Sequence, residues 1–305
     1  MIKLGFIGAG TVGTALAVRL AEKGYPVVAV ASRTFASAER LAALVLVVQV
    51  RAQVPGCRAV KTGQEVADAA ELVFITTPDD AIGNVASGIR WHPGKAVVHC
   101  SGAHSTDILS EAKAQGALTG AFHPLQTFAS VKYAIQNMPG STFGIEAEEP
   151  LLATLKELAF ALDGTPQVLR PDDKVLYHAS AVIASNYLVT LVKLATDLWG
   201  EFGATRKEAI KALLPLIRGT LSNIQNVGIP NCLTGPIARG DAGTIQKHLD
   251  ALKSEAPQIL PIYCELGLNT IPISLAKGKI DAGQAAVLEE ILREALKTVN
   301  VPEIR

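Results

Sequence analysis

Two of the six histidines in this 305-residue chain stand where proton transfer near neutral pH would be useful. His123 follows the apolar run Ala117 to Phe122, and Ser101-Gly102 follow a second run, Ala96 to Cys100. A third cluster, Thr76-Thr77-Pro78-Asp79-Asp80, ends the run that starts at Glu71. Polar residues at the carboxyl ends of buried strands are where a ligand meets an open α/β sheet. Ser101 and His123 are therefore expected as neighbours, with His123 the acid or base and Ser101 its partner. Thr76, Thr77, Pro78, Ser101 and Gly102 are expected to line a cofactor. His178 is the second histidine of interest. Stepping about 100° per residue from it brings His178, Ser185, Asn186 and Lys193 onto one face of an otherwise apolar helix. A polar stripe in a core needs hydrogen-bond partners, which a ligand or a network between packed helices would both supply. On the first alternative His178 and Asn186 orient a substrate and Lys193 binds it. Arg239, in Leu233-Thr-Gly-Pro-Ile-Ala-Arg-Gly-Asp241, suits a substrate carboxylate or a subunit interface equally well. His99, His104 and His248 are expected to be structural or solvated.

The elements that position these residues begin with Gly8-Ala9-Gly10-Thr11-Val12-Gly13, a G-x-G-x-x-G spacing. It lies between a strand, Ile2 to Ile7, and a helix, Thr11 to Lys23, with a second strand at Pro26 to Ala31. In such a βαβ unit the first glycine makes the turn, the second admits a pyrophosphate and the third lets helix and strand pack closely. The helix N-terminus supplies free N–H groups for the phosphates. An NAD site usually carries an acid about 20 residues further on. Here the second strand ends in Ser32-Arg33-Thr34, with no acid before Glu39. A guanidinium and two hydroxyls suit a 2′-phosphate, so NADP is expected over NAD.

Strands and helices alternate to about residue 144, which predicts a doubly wound, mostly parallel sheet. Leu41 to Val54 reads as a helix running into a loop at Pro55-Gly56. Beyond Glu146 the pattern becomes helical: 150–162, a long helix capped by Pro171-Asp172-Asp173, then 205–227, 241–254, 257–267 and 282–298. The expected organisation is a nucleotide-binding domain over 1–147 and an all-α domain over 148–305. Lys plus Arg and Asp plus Glu number 28 each, so no net field draws the chain to nucleic acid or an anionic membrane. The four cysteines are scattered without metal-ligand spacing, and no metal is expected. A strand starting at Ile2 is expected to leave no room for a signal peptide, which points to a reduced, cytoplasmic protein. Mean hydropathy is +0.29, raised by the uncharged stretch Val175 to Val192. Its polar residues favour a buried core shared between two subunits over a membrane span, so a homodimer through the helical domain is expected.

Taken together, GxGxxG, TTPDDAI, HCSGA, GAFHPLQTFA, YHASAVIASNY and LTGPIARGD resemble a family of Rossmann-like NADP oxidoreductases whose members end in a helical domain of unknown function. More distantly the chain is similar to pyrroline-5-carboxylate reductases, ketopantoate reductases and β-hydroxyacid dehydrogenases. This resemblance implies a helical domain like the C-terminal domain of 6-phosphogluconate dehydrogenase, and hydride transfer between a nicotinamide and a C=O or C=N carbon. In prephenate dehydrogenases a Ser after one strand and a His-Pro after the next form the catalytic pair, and Ser101 and His123 stand in matching places. In ketopantoate reductases a Lys is followed by Asn four and eight residues on. With Asn186 as the second Asn, His178 takes the Lys position and Val182 the first Asn, which argues against the ketopantoate reaction itself. The β-hydroxyacid dehydrogenase signature, a Gly-rich helix start with Lys, is also missing. The expected activity is reduction or oxidation of a small, carboxylate-bearing substrate. The alternative is an NADP-binding sensor or scaffold without turnover.

Overall fold

The structure is a computed structural model that describes residues 1–52 and 56–298. Short apolar runs build an eight-stranded sheet: β1 (Leu4–Ile7), β2 (Val27–Ala31), β3 (Arg58–Ala59), β4 (Leu72–Ile75), β5 (Ala96–His99), β6 (Leu118–Leu125), β7 (Thr142–Ala147) and β8 (Thr165–Val168). The order is β3-β2-β1-β4-β5-β6-β7-β8, parallel throughout except between β6 and β7. Every residue of β1, β4 and β5 is buried, as expected for parallel strands covered on both faces. On one face Phe6, Phe74, Phe122 and Phe143 form an aromatic row with centroids 4.7–5.9 Å apart. The helices Thr11–Glu22, Phe35–Ala52 and Leu151–Ala161 pack on that side. The other face (Ile7, Val73, Ile75, Val97) is covered by Gly63–Ala69, Ile82–Ser87 and Ser110–Ala114. This is the doubly wound arrangement. The expected helix from Leu41 is observed within Phe35–Ala52, and Pro55 lies outside the described residues.

Packing divides the chain into two compact units, 1–186 and 187–305. The change of sequence texture near 147–150 falls at the end of β7, and both β8 and the helix Leu151–Ala161 still pack on the sheet. The second unit contains the helices Tyr187–Gly200, Arg206–Val227, Ala242–Glu255, Leu260–Lys277 and Ala282–Lys297 around Leu249, Cys264, Ile271, Leu288 and Leu292. Local chemistry sets their starts: Thr205 and Glu208 form a capping box, while Asp241 and Asp281 each accept a backbone N–H of the first turn.

Two expectations need correction. The helix expected to stop at Gly267 runs on to Lys277, because Gly267 is a packing position: a Cβ there would lie 2.9 Å from Leu292. The long helix is not uniformly α. It runs from Lys174 to Ala181, passes through a π segment at Val182–Asn186 and resumes at Tyr187. An i→i+5 segment shifts the angular phase of every later residue, so a count of 100° per residue from His178 does not carry past Ala181. The apolar stretch expected to be shared between subunits is exposed on the single chain. Val175, Leu176, Ile183, Tyr187 and Val189 are 57–76 % exposed. Pro171–Gly200 is the one stretch among the described residues long and apolar enough to cross a membrane, with mean hydropathy 1.5.

Candidate functional site

Gly8 closes β1 with φ +116°, and a Cβ there would sit 2.7 Å from the Thr76 carbonyl. The Thr76 hydroxyl donates to the Gly8 carbonyl at 2.8 Å, tying the β4 end to the turn, and a Cβ at Gly13 would strike both groups. Gly10 differs: it is the N-cap of the helix Thr11–Glu22, and nothing lies within 4 Å of where its Cβ would be. Backbone N–H groups of the first turn therefore face open space where a pyrophosphate would lie. Thr77 adds a buried hydroxyl with no partner among the described residues. The cradle fits a dinucleotide. At the end of β2, Arg33 is exposed; the Thr34 and Ser37 hydroxyls lie 2.7 Å apart, and Arg40 donates to Ser37 Oγ at 2.7 Å. Two guanidiniums and a hydroxyl pair suit a phosphate monoester.

The second half of the site stands at the carboxyl ends of β4, β5 and β6. Register puts His99 level with Ala121, so Ser101 and His123 each lie two residues beyond the paired segment. Ser101 is buried, and its hydroxyl is fully engaged: it donates to Asp79 Oδ2 at 2.6 Å and accepts from the N–H groups of Ala103 and His104. It organises the loop. The neighbour of His123 is instead Gly102, whose missing Cβ would lie 2.8 Å from His123 Nε2 and 2.7 Å from His178 Cδ2. The His123 and His178 rings have centroids 6.1 Å apart. Tyr177 closes the far side, with its Oη 3.0 Å from His123 Nδ1. His99 is fully buried, accepts from Ser101 N–H at Nδ1 and meets the Ser105 carbonyl through Nε2.

Electrostatics follow from burial. Desolvation, then the His178 and Lys174 charges, push His123 down to about 4, with Asp79 opposing. His99 falls to about 3, again chiefly by desolvation. Burial lifts Tyr177 to about 12, with a backbone hydrogen bond from Gly144 acting the other way. At neutral pH both imidazoles and the phenol are uncharged.

Of the residues expected from sequence, the glycine loop, Thr76, Thr77, Ser101, Gly102, His123 and His178 are gathered in the first unit. Asn186 is exposed at the end of the π segment, as is Ser185. Lys193 belongs to the second unit and is exposed there, paired with Asp197 at 2.6 Å. Arg239, also in the second unit, is 65 % exposed and lines a cavity of about 350 Å³ with Thr234, Lys277 and Lys279. Sequence reasoning missed Tyr177, Asp79, Arg40 and Lys174. Tyr177 adjoins His178 and Asp79 lies within the TTPDD cluster, so proximity to chosen residues was the available signal. Lys174 stands at the start of the long helix, where nothing local marks it as buried.

A model of a Rossmann-like domain matches residues 1–124, and that of DUF2520, a domain of unknown function, matches residues 141–270. No curated protein matches the chain in sequence. Among solved structures, BF3122 from Bacteroides fragilis, named as an NADP oxidoreductase, is 26 % identical, covers 89 % of this chain and 98 % of its own, and superposes with a TM-score of 0.67. TM1727 from Thermotoga maritima is 24 % identical over 96 % of this chain and 98 % of its own, with a TM-score of 0.60. A reductive aminase from Aspergillus terreus, solved with NADPH and ethyl-5-oxohexanoate, is 18 % identical over 97 % and 94 %, with a TM-score of 0.58. The last two likenesses are of fold. With both domain models matched in order along its length, the chain carries a Rossmann-like domain followed by a DUF2520 domain, and it is similar to the NADP oxidoreductase from Bacteroides fragilis.

Proposed function

We propose that this chain binds NADP(H) and reduces a C=O or C=N carbon of a small, carboxylate-bearing substrate. The observation that carries the reading is the convergence of His123 and His178 on Gly102, with Tyr177 behind His123, in the unit that holds the Gly8–Gly13 cradle. NADPH, when bound, supplies the hydride. First-turn N–H groups above Gly10 hold the pyrophosphate, and Ser32, Arg33 and Thr34, joined by Arg40, hold the 2′-phosphate. The Tyr177 hydroxyl donates to His123 Nδ1, which assigns the imidazole proton to Nε2, the atom beside Gly102. As negative charge grows on the substrate oxygen or nitrogen, Nε2–H donates to it. The proton that passes to the substrate is replaced at Nδ1 from the Tyr177 hydroxyl, and the phenolate left behind takes a proton back from solvent before the next turnover. His178 forms the opposite wall. Ser101, engaged by Asp79, holds the loop rather than the proton.

Two further assignments belong to this reading. The exposed apolar face of Pro171–Gly200 is covered by a second copy of the chain. The four unpaired cysteines suit a reducing cytoplasm.

NADPH oxidation, followed against a panel of keto acids and cyclic imines, tests the reaction. Turnover is expected with at least one class. His123→Asn should lower kcat/KM by about 10²-fold or more while NADPH binding is retained. NADPH binding without turnover of any carbonyl or imine overturns the reaction in favour of a nucleotide sensor.

A further inference from the structure

The stretch Leu233 to Asp241 lies wholly in the second unit, and the hydride chemistry proposed above makes no use of it. Its short 3₁₀ turn, Ile237–Arg239, is seated on the helix Leu260–Lys277, with Ile237 Cδ1 3.5 Å from where a Cβ of Gly267 would be. Because that helix runs past Gly267, its last residue, Lys277, reaches the same loop. Lys277 Nζ donates to the Leu233 carbonyl at 2.6 Å, across 44 positions of sequence. Left-handed Gly278, with φ +70°, then takes the chain out of the helix, and Lys279 follows it.

The result is a cavity of about 350 Å³ lined by three cations, Arg239, Lys277 and Lys279. Thr234 adds a hydroxyl to its lining, and Gly235 adds no side chain: nothing lies within 4 Å of where its Cβ would be. One carboxylate among the described residues comes within ion-pair range of these cations. It is Asp241, whose Oδ2 is 3.9 Å from Arg239, too far for a hydrogen bond. Both Asp241 oxygens are already committed to the helix start. Oδ1 accepts the Thr244 N–H at 3.0 Å, and Oδ2 accepts the Thr244 hydroxyl at 2.7 Å. Three cations against one committed carboxylate leave an excess of two positive charges in one concavity. Over the whole chain the charges balance at 28 each, so this excess comes from the fold and not from composition. A concave surface lined by one sign of charge concentrates the opposite ion.

We propose that this cavity binds a small dianion, a phosphate monoester or a dicarboxylate. The guanidinium fork engages two oxygens of either group at once, while the lysines act as point charges beside it. A dianion matches the excess of two; a monocarboxylate leaves one positive charge unmatched. The cavity is of the size that takes a small molecule. Such a site needs neither NADP(H) nor turnover.

Calorimetric titration of the full chain at low ionic strength and about pH 7.5, where a phosphate monoester is a dianion, tests this. Glycerol 3-phosphate, succinate and acetate are the probes. Saturable binding of at least one of the two dianions is expected, with Kd at or below about 1 mM, and none for acetate. Saturation by glycerol 3-phosphate alone assigns a phosphate monoester, and by succinate alone a dicarboxylate. Arg239→Gln and Lys279→Gln remove exposed charges and should each weaken the dianion about fivefold; the double variant should lose it. Absence of saturation by both dianions overturns the proposal, as does acetate binding as tightly as either. A dianion affinity unmoved in the double variant places the anion elsewhere, such as the Arg33 and Arg40 cradle, and also overturns it. So does an Arg239→Gln chain that turns monomeric in light scattering with its dianion affinity intact, since Arg239 then serves the subunit interface. NADPH binding without turnover defeats the hydride reaction and leaves this site standing.

Discussion

Arg33 and Arg40 divide one task at the end of β2. Arg33 extends into solvent, free to reach a phosphate from outside, while Arg40 is already held by Ser37, whose hydroxyl contacts that of Thr34. Charge-assisted bonds to a phosphate are each worth about 1.5–3 kcal/mol. Arg33→Ala and Arg40→Ala are each expected to weaken NADPH binding by about that amount and to leave NADH binding nearly unchanged. Calorimetric titration with both cofactors checks this; equal losses for NADPH and NADH would move the arginines away from the 2′-phosphate.

At the scale of the element, the helix from Lys174 to Gly200 carries both the site and an exposed surface. Its first turns bring Lys174, Tyr177 and His178 down onto the sheet. The π segment then inserts one extra residue's worth of rotation, and the apolar residues around it are left open to solvent. Leu176 is 76 % exposed and Val189 70 %. A monomer rarely leaves so large an apolar stripe in water. Light scattering at micromolar concentration is expected to give twice the chain mass of 32.0 kDa. Leu176→Glu, which puts a charge on that stripe, should shift the population toward monomer. A wild-type monomer would exclude the dimer.

For the molecule as a whole, two desolvated imidazoles, one buried and one half-buried, couple stability to pH. His99 and His123 are held uncharged down to about 3 and 4, whereas the unfolded chain takes up those protons near 6.5. The folded-state values are depressed, so their contribution is complete above about 6.5 and is lost as pH falls toward 4. Tm is therefore expected to decline between pH 6.5 and 4, with the decline flattened in a His99→Gln variant. A Tm that is constant or rises over that interval contradicts the assignment of both rings as neutral.

What the sequence determined by itself is what short-range chemistry decides. The G-x-G-x-x-G turn, the acid-free end of β2, the alternation of buried runs with helices and the helix starts at Thr205, Asp241 and Asp281 each depend on residues a few positions apart. Spacing also marked His123, His178 and Gly102, since strand ends are where a parallel sheet exposes its loops. The tertiary structure decided the rest. Whether the Ser101 hydroxyl meets a histidine or Asp79 depends on a residue 22 positions away, and His123 meets Tyr177 across 54. Gly267 reads as a helix stop until Leu292 packs against it. The π segment breaks the angular count that joined His178 to Asn186 and Lys193. Lys174 is the clearest case. A lysine at a helix start belongs in water by every local rule, and only the approach of that helix to β7 buries it against Glu146, because burial is a property of the assembled surface and not of the residue.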